Sequence, residues 1–162
     1  MDPTHLHLLI THLPIYGSIL GALVLAFALW TKNNNTMVAA YLLFVISAIG
    51  AGIAYSTGEA AEETVEGIKF IAENKIEQHE DFAIYALWGF ITLGLASLIG
   101  IFFSLKKLGG TKFVGFVVLL IALVSFGLVA YTGYLGGQIR HTEIGDSSPS
   151  TKTFYQENND DD

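Results

Sequence analysis

The stretch FVGFVVLLIALVSFGLVAYTGYLGGQI, residues 113–139, contains no Asp, Glu, Lys or Arg. As an α-helix, at about 1.5 Å per residue, it is long enough to cross the ~30 Å hydrocarbon core of a bilayer. Three further blocks of this kind precede it, at residues 3–31, 33–58 and 82–105. Only helices and closed barrels cross a membrane, and continuous apolar blocks indicate helices. The sequence therefore predicts an all-α fold with four membrane-spanning helices.

The overall composition agrees with this prediction. Of the 162 residues, 52% are hydrophobic and 14% are charged, which is typical of a membrane protein. No basic residue precedes the first block and no convincing cleavage site follows it, so we expect a retained span rather than a secretory signal. Cysteine is absent, which excludes disulfides, cysteine-bound iron–sulfur clusters and thiolate metal sites.

The charges predict the orientation of the spans. The two short linkers, residues 31–36 and 106–112, contain four lysines and no acidic residue, whereas the opposite face receives all fifteen Asp and Glu residues. Because short basic linkers stay in the cytoplasm, we expect both termini outside, at the periplasmic face of a bacterial inner membrane. The predicted architecture is a multi-pass, antiparallel four-helix bundle in the lipid bilayer. No nucleic acid partner is expected.

Two segments lie outside the predicted spans. The outer linker between spans two and three, residues 59–81, places Val65, Ile68, Ala72 and Ile76 at helical spacing with charges between them. This pattern predicts an amphipathic helix on the membrane surface. After a four-span membrane domain at residues 1–144, residues 145–162 are polar, acidic and without periodicity. They are expected to form a disordered tail.

The sequence also contains a weak internal repeat. His12 precedes Ile15-Tyr16 and His79 precedes Ile84-Tyr85, while spans two and four end in AYSTG and AYTG. A duplication of two helices, with His12 and His79 as counterparts, explains this pattern. The match is short, so a chance similarity stays open.

Histidines are the residues most suited to chemistry in this chain. All five, His5, His7, His12, His79 and His141, fall on the predicted outer face. The central part of each span contains no Asp, Glu, Lys, Arg or His, which disfavours a transporter or pump. Any chemistry is therefore expected at the outer ends of the helices.

Imidazoles and carboxylates converging from four helices are typical ligands of a transition metal ion such as iron, copper or zinc. We expect His12 to enter the bundle and His5 and His7 to face water or headgroups. Glu59 and Glu63 lie one helical turn apart near the membrane. Whether His5, His7, Glu62, Glu80 and Glu143 also take part is left open. The predicted metal ligands are His12, Glu59, Glu63, His79 and His141.

Two alternatives to a redox or metal-handling protein stay open. A single haem b for electron transfer would use two of His12, His79 and His141 as axial ligands. A subunit without a cofactor would instead pack against a respiratory or other membrane complex. No catalytic residue is predicted, and enzymatic activity stays open.

The stretch HLHLLITHLPI, together with TGEAAEE, HEDFA and GGQIRHTEI, resembles the bacterial membrane proteins grouped as domain of unknown function 2231. The resemblance covers residues 4–144. Its most specific positions are His12, Pro14, Gly136, Gly137 and His141. It implies a four-helix membrane fold and suggests a haem or metal role. The GEAAEE segment and the additional histidines, His5 and His7, look like features of a subgroup of that family.

Overall fold

The computed structural model describes the backbone of residues 3–62 and 73–140 and the side chains of residues 6–58 and 76–138. Within these ranges the chain forms helices joined by short turns. The helices are α1 (Pro3–Ile10), α2 (His12–Thr31), α3 (Asn34–Glu62), α4 (Glu73–Leu105) and α5 (Thr111–Arg140). The predicted all-α fold is confirmed.

Four segments of these helices are long and apolar enough to cross a membrane. They are Leu6–Thr31, Asn34–Gly58, Ile76–Leu105 and Thr111–Gln138. The first segment contains most of α1 and all of α2, which meet at Thr11. The Thr11 N–H donates to the carbonyl oxygen of His7 at 3.0 Å, so the hydrogen-bonding pattern of the helix continues across the junction. The described residues therefore contain the four long, apolar helical segments that the sequence predicts.

The spans pack side by side into one bundle. Helix α2 contacts α3 and α5, α3 contacts α4, α4 contacts α5, and α1 contacts α3. The turn between α2 and α3 is short because Lys32 adopts a left-handed conformation with φ of 55°. The Asn33 side chain then accepts hydrogen bonds from the N–H groups of Asn35 and Thr36, at 3.0 and 3.2 Å. This side chain caps the start of α3.

Glycines allow the helices to approach closely. A Cβ atom at Gly21 would lie 2.5 Å from Cε1 of Phe44, and one at Gly100 would lie 2.6 Å from Cζ of Tyr41. Both aromatic rings are fully buried. In a membrane, where lipid tails are as apolar as the protein, such close contact is a main source of helix association.

The outward faces of the spans are apolar. Large hydrophobic side chains remain exposed along them, including Leu20, Leu23, Phe27, Trp30 and Phe113. A contiguous apolar surface of this extent is unusual for a protein in water. It matches a lipid environment.

The linker between spans two and three is shorter than the sequence indicates. Helix α3 continues to Glu62 and α4 begins at Glu73, so Ile76 belongs to α4 rather than to a separate surface helix. Helix α4 starts at Glu73, well before the apolar block that begins at residue 82. Its first turns contain charged residues, which a helix tolerates where it extends beyond the membrane. Residues 63–72, with the rest of the predicted surface helix, lie outside the described residues. The predicted disordered tail at residues 145–162 lies outside them as well.

Candidate functional site

Two imidazoles pack against neighbouring helices at the same end of the bundle, which we call the histidine end and define by His7 and His79. The opposite end carries Lys32 and Lys106 and is called the lysine end. His7 of α1 is half-buried against α3. Its Nδ1 atom lies 2.9 Å from the carbonyl oxygen of Ala54.

A carbonyl oxygen only accepts hydrogen bonds, so Nδ1 of His7 donates and carries the ring hydrogen of the neutral imidazole. The hydroxyl oxygen of Thr57 lies 3.3 Å from the same nitrogen. The lone pair is then on Nε2, the atom with which a histidine held in this way binds a metal.

His79 makes the equivalent contact between α4 and α5. Its half-buried ring donates from Nδ1 to the carbonyl oxygen of Thr132 at 3.0 Å. The lone pair of this neutral imidazole is again on Nε2. The histidine end therefore carries two imidazoles with the same tautomer.

A glycine lies beside each ring. A Cβ atom at Gly58 would lie 3.2 Å from Cε1 of His7, and one at Gly136 would lie 3.1 Å from Cε1 of His79. Both distances are shorter than an ordinary van der Waals contact of about 3.5–4.0 Å. Any larger residue at these positions would press on the imidazole and change its orientation.

His12 occupies a different environment. Its side chain is exposed, its Nδ1 donates to the Leu8 carbonyl oxygen one turn earlier at 2.7 Å, and its ring stacks on Tyr16 with a centroid distance of 6.0 Å. The expectation that His12 enters the bundle is therefore wrong. The converse expectation for His7, that it faces water or headgroups, is wrong as well.

The physical reason is the helical period. His7, Pro14, Gly21 and Ala28 recur at every seventh position, which places them on one face of a helix. Pro14, Gly21 and Ala28 are all buried in the bundle. His12 is out of step with this spacing and therefore points away from the buried face. The spacing is the sequence signal that identifies His7, whereas depth within the apolar block points to the wrong histidine.

Of the remaining predicted ligands, the structure describes only some. Glu59 belongs to α3, but its side chain, like those of His5 and Glu62, is outside the described ones. Glu63 and His141 lie wholly outside the described residues. Among the residues that are described, no group of three or more His, Asp or Glu side chains is placed to hold a metal ion. The predicted five-residue ligand set stays a prediction.

Comparison of the chain with models of protein families, with curated proteins and with solved structures finds no match. The resemblance to domain of unknown function 2231 therefore stays a prediction.

Proposed function

We propose that this chain is an integral membrane electron-transfer protein that binds one haem b at the histidine end, with His7 and His79 as axial ligands. A single observation carries the proposal. Each of these imidazoles donates from Nδ1 to a backbone carbonyl oxygen of the neighbouring helix, at 2.9 and 3.0 Å. Each Nε2 atom is then left with a lone pair that is able to bind a ligand.

Two imidazoles meet the ligand requirement of a haem iron. A haem needs only two protein ligands because the porphyrin occupies the other positions of the iron. A metal ion without a porphyrin takes three or four ligands from the protein. The described residues at the histidine end supply two imidazoles of this kind, one from each pair of helices. The donor set therefore suits the haem.

The haem would supply reversible one-electron transfer at its iron. The protein's own residues would fix the two axial rings. The backbone carbonyls of Ala54 and Thr132 hold the rings in one tautomer, and such outer contacts raise the basicity of the ligating nitrogen. The half-buried position of both rings leaves one side of the site near the protein surface, where a redox partner can approach.

The orientation is part of the proposal. With its lysine end in the cytoplasm, the antiparallel bundle places both termini and the haem on the periplasmic side of a bacterial inner membrane. Electrons would then be exchanged with a periplasmic partner or with a respiratory complex in the same membrane. The resemblance noted from the sequence suggests the same kind of role.

A transition metal ion is the second candidate. The observation in its favour is that α3 continues as a helix to Glu62, which places Glu59 directly after the glycine that contacts His7. An iron, copper or zinc ion at this end would use His79 and His141 together with the carboxylates of Glu59 and Glu63.

A visible spectrum and metal analysis of the detergent-purified protein separate these candidates. The protein should be produced in a bacterium supplied with a haem precursor. We expect a Soret band, sharp α and β bands after reduction, and one haem per chain. Stoichiometric metal without a Soret band would contradict the haem and support the metal ion as the cofactor. A preparation with neither would contradict both candidates and favour a subunit without a cofactor.

A further inference from the structure

The two halves of the chain repeat the same contacts around their histidines. His7 bonds to the carbonyl oxygen of Ala54 in the next span, and His79 bonds to the carbonyl oxygen of Thr132 in the span that follows its own. In each half a glycine, Gly58 or Gly136, lies one helical turn beyond this carbonyl and beside Cε1 of the imidazole. The arrangement of ring, carbonyl and glycine is therefore present twice.

A second pair of contacts repeats in the same register. A Cβ atom at Gly17 would collide with the side chain of Ser47, and one at Gly89 would lie 3.2 Å from the Oγ atom of Ser125. Gly17 and Gly89 are separated by the same number of residues as His7 and His79. Ser47 and Ser125 are likewise separated by the same number of residues as Ala54 and Thr132, which supply the two carbonyls of the site. These glycines and serines lie deeper in the bundle than the histidines, so the repeat is not confined to the site.

The buried faces of the first and third spans also repeat. When α2 is aligned with α4 by matching His7 to His79, every buried residue of α2 falls on a buried residue of α4. In α2 they are Pro14, Ser18, Gly21, Ala22, Leu25 and Ala28, and in α4 they are Ala86, Phe90, Leu93, Gly94, Ser97 and Gly100. Since the residue types differ and the burial agrees, the shared property is the packing geometry.

We infer that the chain is a duplicated two-helix unit and that its ligand takes one imidazole from each unit in equivalent positions. The inference rests on the proposed function and narrows it. A ligand held in this way must offer two equivalent coordination positions, which an iron porphyrin does through its two axial positions. Gly58 and Gly136 are then equivalent positioning residues, one for each ring.

The counterpart of His79 is consequently His7. The Ile-Tyr pairs that follow His12 and His79, together with the similarity of AYSTG and AYTG, suggest instead that His12 is the counterpart of His79. The contacts align Ala54 with Thr132 instead, so the two similar motifs are out of register in the structure.

Substitution of each axial histidine by glycine tests the equivalence in the full-length protein. His7→Gly and His79→Gly should each convert a six-coordinate, low-spin haem into a five-coordinate, high-spin haem, with the same loss of the low-spin bands. Added imidazole should restore the low-spin spectrum in both variants, because it fills the space of the missing ring. The double variant should lose the haem.

The outcomes separate this inference from the function on which it rests. Wild-type protein without haem would contradict the proposed function and the inference with it. Wild-type protein with haem, combined with a low-spin spectrum that survives in one of the single variants, would contradict the inference alone. Unchanged helical circular dichroism and a single gel-filtration peak in detergent identify the variants that have folded.

The glycines give a second test. Gly58→Ala and Gly136→Ala should each weaken haem binding by about tenfold, the usual size of an effect on residues that support a ligating histidine. Gly52→Ala and Gly137→Ala are matched controls, because a Cβ atom at either position meets no atom within 4 Å. Equal losses in the controls, or a loss at only one of the two positioning residues, would contradict the equivalence.

Discussion

The Nδ1 atom of His79 lies 3.0 Å from the carbonyl oxygen of Thr132, so an imidazole of α4 is fixed by the backbone of α5. The hydroxyl of Thr132 takes no part in this contact and donates instead to the Leu128 carbonyl oxygen of its own helix at 2.9 Å. A main-chain acceptor persists when its side chain is exchanged. At the equivalent position in the first half of the chain the residue is already alanine, Ala54.

Thr132→Ala should therefore leave the cofactor in place. The substitution removes a local hydrogen bond, which changes the free energy of unfolding by about 1 kcal/mol, but it keeps the carbonyl oxygen that accepts from His79. The visible spectrum and the haem content of the purified variant test this expectation. A loss of the low-spin bands comparable to that of His79→Gly would mean that the hydroxyl, and not the carbonyl, positions the ring.

His12→Ala should also retain the cofactor. The His12 side chain is exposed, and its hydrogen bond to Leu8 and its ring contact with Tyr16 both lie within the first span. The matched comparison is His7→Ala, in the same span, which removes an axial ligand and should lose the low-spin spectrum. The two variants are compared by the low-spin bands of their visible spectra. Low-spin bands that survive in His7→Ala and disappear in His12→Ala would mean that His12, and not His7, is the ligand from the first span.

Gly100→Ala should destabilise the bundle without touching the histidine end. Its new methyl group would lie within 2.9 Å of three ring atoms of the fully buried Tyr41, and overpacking of this kind costs about 1–3 kcal/mol. Thermal unfolding in detergent measures the effect. Gly127→Ala is the control because no atom lies within 4 Å of its added Cβ. Equal stability of the two variants would show that α4 can move away from Tyr41.

The sequence is sufficient to predict the four spans because a bilayer requires long apolar helices, and that requirement leaves a visible pattern of composition. The site is harder to predict. Its acceptors are the carbonyls of Ala54 and Thr132, and backbone groups have no sequence signature. The regular spacing from His7 to Pro14 and Gly21 is visible in the sequence and identifies His7. His12 lies deeper in the apolar block, however, and that depth favours the wrong histidine. Burial in a bundle depends on the face of the helix, and depth along the span does not determine that face.

The direction of the bundle in the membrane is testable because the chain contains no cysteine. Single cysteines can be introduced at two exposed positions, Glu77→Cys near the histidine end and Lys106→Cys at the lysine end. Since short basic linkers stay in the cytoplasm, a membrane-impermeant thiol reagent should label Glu77→Cys in cells with a permeabilised outer membrane. Lys106→Cys should react only after the inner membrane is opened. The reverse pattern would place the proposed haem on the cytoplasmic side and require a cytoplasmic redox partner.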